Sequence, residues 1–150
     1  MRIARYLIHG QVIQGVLEEE GLRPFLGPGL DPEGRTGPPM SVEGARLLAP
    51  CLPGKIIGVG LNYKDHARER NKPLPVEPLL FLKPPSALLD PGELILLPAG
   101  AGRIDHEAEL AIVIGRTARN VAVANAGEAI LGYTCFNDVT ARALQDRDVQ

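Results

Sequence analysis

The sequence predicts a β-rich α+β fold in which a small N-terminal β module precedes the first part of a larger β domain with short helices. Three observations point there. The chain carries 17 glycines and 14 prolines, about a fifth of its residues, which is enough punctuation to keep every element short. Its apolar runs, such as Leu94 to Leu97 and Leu110 to Ile114, have the length of strands. The Gly- and Pro-dense stretch from Gly27 to Pro39 reads as a linker, which sets a boundary near residue 50 between modules 1–50 and 51–150.

Taken in order, Ile3 to Leu17 alternate loosely around Gly10 and Gly15, the pattern of a hairpin. Lys55 to Gly60 reads as a buried strand. Leu61 to Asn71 then turns polar, with Lys64, Asp65, His66, Arg68, Glu69 and Arg70 on a short helix. Pro73, Pro75 and Pro78 end it, because proline removes an amide donor and clashes with the preceding turn. Leu79 to Lys83 forms a strand stopped by Pro84 and Pro85, and Leu94 to Leu97 and Glu107 to Ile114 supply two more. Gly132 to Asn137 leads into a helix expected to start near Asp138. The helical pattern from Thr140 to Val149 carries no Gly or Pro stop, so the chain is expected to be part of a longer domain.

A hydrophobic share of 45% against 23% charged residues is that of an ordinary soluble globular domain. A net charge of -2 offers no basic field for nucleic acid, and with 4% aromatic residues and no Trp there are no stacking platforms for single strands. Met1 to Gly10 lacks the apolar core of a secretory signal, and no run approaches the roughly 20 apolar residues of a membrane helix. The expectation is a cytoplasmic protein with no membrane or nucleic-acid partner. Cys51 and Cys135 lie far apart without a C-x-x-C pairing, which suits two reduced thiols.

The most informative stretch is His106-Glu107-Ala108-Glu109-Leu110-Ala111-Ile112-Val113-Ile114. On a strand, Glu107 and Glu109 share a face with α-carbons about 7 Å apart, so their carboxylates can converge. The same face continues into Ala111 and Val113 and so is expected to be partly buried, where two like charges call for a cation. Hard oxygen donors favour magnesium or manganese, with calcium as an alternative. The other reading places both glutamates on the solvent face of an edge strand. Asp138, where a strand gives way to a helix, is either a third ligand or an N-cap. His66 and Glu69 stand three apart on the polar helix and either form a proton-transfer dyad or decorate a solvated face. Lys83 either holds a substrate carboxylate or extends to solvent from a sheet end.

Four ordered blocks, Gly58-Val59-Gly60-Leu61-Asn62-Tyr63-Lys64-Asp65-His66, Phe81-Leu82-Lys83-Pro84, His106-Glu107-Ala108-Glu109-Leu110 and Asn137-Asp138-Val139-Thr140-Ala141-Arg142, together resemble the fumarylacetoacetate hydrolase family. The resemblance runs from Lys55 to Gln150, and the first fifty residues look like the variable N-terminal region of bacterial members. It implies a β fold of that type, usually dimeric, and a divalent metal on Glu107, Glu109 and Asp138. It also implies His66 and Glu69 as the proton-handling pair, with Lys83, Arg142 and Gln145 lining the substrate pocket. Relatives continue beyond the equivalent of Gln150.

A magnesium or manganese ion on three carboxylates would keep positions open for a small 2-oxo or enol carboxylate and would stabilise an enolate at its 2-oxygen. The layout resembles bacterial 2-hydroxyhepta-2,4-diene-1,7-dioate isomerases, of the 5-carboxymethyl-2-hydroxymuconate delta-isomerase type, from aromatic-acid catabolism. The same chemistry serves acylpyruvate hydrolysis or oxaloacetate decarboxylation. The non-enzymatic alternative is a metal-stabilised, inactive oligomerisation fragment.

Overall fold

The computed structural model describes residues 1–27, 34 and 36–147, so most of the expected linker, residues 28–33 and 35, and residues 148–150, which include the last two of the expected helix, lie outside the described residues. The described residues fold as four small antiparallel sheets with short helices between them. In the N-terminal module, β1 (Ile3–Ile8) and β2 (Gln11–Glu18) form the expected hairpin, and β3 (Gly21–Pro24) and β4 (Arg46–Leu48) complete a sheet of order β3-β2-β1-β4. The hairpin turns on His9 and Gly10, both at positive φ, as a two-residue turn matched to strand twist requires. Leu22 is fully buried at the centre of this module. Arg5, also buried, donates from Nη1 to the Ala49 carbonyl at 2.8 Å, and the Ala49 amide donates to Asp90 Oδ1 at 2.7 Å.

The larger region is built from β5 (Ile56–Gly60) paired with β6 (Leu79–Lys83), and β8 (Ala108–Ile114) paired with β9 (Ile130–Asn137). Between the first two runs helix α1 (Lys64–Glu69), and a short ladder joins β7 (Ile104–Asp105) to β10 (Thr140–Ala141) ahead of helix α2 (Arg142–Arg147). Leu61 turns the chain from β5 into α1 at φ 52, a left-handed conformation that a bulky side chain rarely adopts. Arg70, just past α1, reaches Asp146 on α2 at 2.7 Å and ties the two helices together. Among the described residues no helix is long and apolar enough to cross a membrane.

Three expectations are corrected. Leu94 to Leu97 form no strand, and all four side chains are exposed. With no partner strand among the described residues, the run has no ladder to join there, and apolar composition alone does not make one. The helix near Asp138 starts four residues later, at Arg142, because Thr140 and Ala141 are held in extended pairing with Asp105 and Ile104. Asp138 is therefore no helix N-cap. Finally, β5 is not buried: Ile57 and Val59 on one face are exposed, as are Leu80 and Leu82 opposite them.

The other face of β5 and β6 is closely packed. Gly58 sits directly across from Phe81, and a Cβ added at Gly58 would lie 2.2 Å from Phe81 Cζ. The ring fills the space a side chain would occupy, which keeps Phe81 and its same-face neighbour Lys83 turned inward. Gly58→Ala is expected to lower stability by about 1–3 kcal/mol, the usual cost of overpacking, measured by urea denaturation.

Candidate active site

The short β7–β10 ladder and the β8–β9 hairpin bring the sequence-predicted carboxylates together. Thr140 pairs with Asp105, and the Asp138 amide donates to the Glu107 carbonyl at 2.9 Å. The Glu107 amide in turn donates to Asn137 Oδ1 at 3.1 Å. These bonds close the two segments side by side, so Glu107, one residue ahead of β8, and Asp138, just past β9, line the same wall. Glu109 shares the face of Glu107 on β8, paired across from Phe136, and is half-buried. Leu110, Ile112 and Ile114 form the apolar opposite face as expected, but that face is exposed.

Electrostatics follow from this crowding. Burial pushes the Glu109 carboxyl above its ordinary pKa, and the Asp138 and Glu107 carboxylates push it further, with Lys83 and His66 in partial opposition. Asp138 is only 4% exposed. Its Oδ1 is in ion-pair contact with the Lys83 ammonium yet accepts no aligned hydrogen bond. Lys83 therefore faces the site rather than solvent.

His66 on α1 stands between carboxylates, with Nδ1 3.6 Å from Glu69 Oε2 and Nε2 3.5 Å from Glu107 Oε1. Both separations are ion-pair distances, longer than a hydrogen bond. The imidazole is partly covered, whereas the Glu69 side chain is 79% exposed. Tyr63 at the head of α1 accepts a hydrogen bond from the Leu110 amide at 3.0 Å, which fastens the helix to β8. Arg142 is buried and engages an acceptor with each of its three nitrogens: Asp105 at 2.8 Å, Gln145 at 3.0 Å and Glu107 at 2.5 Å. Gln145 itself is exposed at the edge.

The structure thus gathers His66, Glu69, Lys83, Glu107, Glu109, Asp138, Arg142 and Gln145 into one region. Three further residues went unrecognised in the sequence: Asp105, Thr140, whose hydroxyl donates to Glu107 Oε2 at 3.1 Å, and Tyr63. For Asp105 a signal existed, since Asp105, Glu107 and Glu109 recur with the period of a strand. Among the described residues, no three His, Cys, Asp or Glu side chains stand close enough to form a ready-made metal cage. The donor set nonetheless suits a hard divalent cation: all its oxygens are carboxylate, like charges crowd Glu109, and a buried Asp138 oxygen lacks a hydrogen bond. Closing on an ion requires Asp138 to exchange its Lys83 contact for the ion.

Residues 55–150 match the Fumarylacetoacetate (FAA) hydrolase C-terminal family, and residues 1–50 match the Rv2993c-like, N-terminal family. Among solved structures, the fold is similar to 5-carboxymethyl-2-hydroxymuconate delta-isomerase from Mycobacterium smegmatis, with 41% identity and a TM-score of 0.82 over 100% of this chain and 59% of that one. It is also similar to 2-hydroxyhepta-2,4-diene-1,7-dioate isomerase from Mycobacterium marinum, with 37% identity and a TM-score of 0.78 over 100% of this chain and 58% of that one. The bovine (Bos taurus) mitochondrial oxaloacetate tautomerase FAHD2A is 42% identical over 100 residues, 66% of this chain and 32% of its own. The chain therefore spans about three fifths of these solved relatives and a third of the bovine one.

Proposed function

Because the chain belongs to the fumarylacetoacetate hydrolase family, we propose that it forms the site of a divalent-metal-dependent isomerase or tautomerase acting on a small 2-oxo or enol carboxylic acid. The observation that carries this reading is the position of His66. Its Nε2 lies 3.5 Å from Glu107, on the wall that also holds Glu109 and Asp138, so a proton-handling group stands beside a cluster of hard anionic donors. The similarity to two isomerases and a tautomerase favours proton relocation over cleavage.

Glu107, Glu109 and Asp138 would hold magnesium or manganese. A divalent cation bound there would supply Lewis acidity, lowering the cost of negative charge at the 2-oxygen of the substrate. Glu69, facing Nδ1 of His66, favours the tautomer that carries the proton on that nitrogen. Nε2 would then be the atom that takes a proton from the enol oxygen or from one carbon and returns it to another carbon of the substrate. Lys83 can offer its ammonium to the substrate carboxylate once Asp138 turns away. Arg142 and Gln145 shape the wall behind Glu107.

The test uses the intact protein, stripped of metal and resupplied with magnesium or manganese, against 2-hydroxyhepta-2,4-diene-1,7-dioate, an acylpyruvate and oxaloacetate. Metal-dependent double-bond or keto–enol shift without loss of carbon is the expected result. Cleavage products would move the reaction to acylpyruvate hydrolysis or oxaloacetate decarboxylation. Metal binding without turnover of any of the three would favour the non-enzymatic alternative.

A further inference from the structure

Asp105 lies outside the predicted site yet is its most strongly held acid. Its Oδ1 accepts from Arg103 Nε and its Oδ2 from Arg142 Nε, each at 2.8 Å. Arg142 is only 8% exposed, and its Nη2 lies on Glu107 Oε1. The backbone repeats the connection, because Asp105 pairs with Thr140, and the Thr140 hydroxyl reaches the other Glu107 oxygen.

We propose that Asp105 is a positioning residue that, through Arg142, fixes the Glu107 carboxylate in the orientation a divalent cation needs. The physical reason is geometric. A guanidinium is a planar fork, so once Asp105 takes Nε the direction of Nη2 is set, and with it the oxygen of Glu107 that Nη2 contacts. Without Asp105, Nε loses its acceptor and the guanidinium is free to turn and engage both Glu107 oxygens, competing with a cation for them. With it, Arg142 acts as an outer support of the kind that orients metal-ligating carboxylates. Arg103, whose side chain is 77% exposed, contributes only a surface contact.

This inference rests on the metal reading of the site, and the experiment separates the two. Binding of manganese alone to the metal-stripped intact protein is followed by electron paramagnetic resonance of the free ion, for wild type, Asp105→Asn and Arg103→Ala. Asp105→Asn should weaken manganese binding by about 10–100-fold, the span seen when such supports are removed. Arg103→Ala should match wild type, and kcat of Asp105→Asn should recover at saturating manganese. In a background lacking the Arg142 fork (Arg142→Met), Asp105→Asn should add no further loss, whereas additive losses would show that Asp105 does not act through Arg142. Affinity of Asp105→Asn within about twofold of wild type, or an equal loss in Arg103→Ala, would overturn the positioning role. Wild type that binds no manganese would overturn the metal reading itself. If Asp105→Asn does not fold, Asp105→Glu, with its charge on a longer arm, replaces it under the same thresholds.

Discussion

Glu107→Ala is expected to remove divalent-metal binding and turnover together. Glu107 is the most connected of the three carboxylates: it accepts from Arg142 at 2.5 Å and from Thr140 at 3.1 Å, and His66 Nε2 stands 3.5 Å away. Truncation deletes an anionic donor and leaves the buried Arg142 guanidinium, paired then with Asp105 alone, with a free Nη2 facing the cation site. Outer supports alone are worth about 10–100-fold in metal affinity, which makes roughly a hundredfold the floor for a direct donor. Manganese titration and turnover on one preparation check this, and tight binding retained in the variant would count against Glu107 as a ligand. Glu107→Gln keeps the shape and isolates the charge; it should fail in the same direction.

His66→Ala is expected to do the opposite of Glu107→Ala in one respect: manganese affinity stays near wild type while kcat falls by roughly two to four orders of magnitude, the contribution of a positioned acid–base group. The imidazole borders the carboxylate wall without lying among its hard donors, and α1 is fastened to β8 by Tyr63 and to α2 by Arg70, independently of the ring. Parallel loss of binding and turnover would show that His66 helps hold the ion, and the roles would need to be exchanged.

Much of this arrangement was legible in the sequence, for reasons that differ by element. The hairpin at the N-terminus announces itself through Gly10, and the carboxylate strand through the alternation of Glu107 and Glu109 with apolar residues. Helix α1 is bounded by prolines and reads correctly as polar. What failed were statements that depend on partners. Leu94 to Leu97 has the composition of a strand but no partner among the described residues, and the exposed faces of β5, β6 and β8 show that apolar alternation fixes which residues share a face, not which face is covered. The start of α2 was misplaced because Thr140 and Ala141 are drawn into a ladder with Asp105 and Ile104, 35 and 37 positions earlier, a constraint no local window contains. Asp105 was missed for a related reason. What marks it is its contact to the buried Arg142 rather than its own spacing, although the period-two series through Glu107 and Glu109 already pointed at it.

The site is assembled from elements of unequal cooperativity. The carboxylate wall stands on a hairpin with seven residue pairs, which opens only if much of a ladder is broken. His66 rides on a helix of six residues, too short to persist by its own hydrogen bonds and retained by buried Ala67 and a few tethers. Local unfolding selects the weaker unit first. The helix that carries His66 can therefore fray and re-form many times while the carboxylate wall stays closed, so the two halves of the site answer to different opening equilibria.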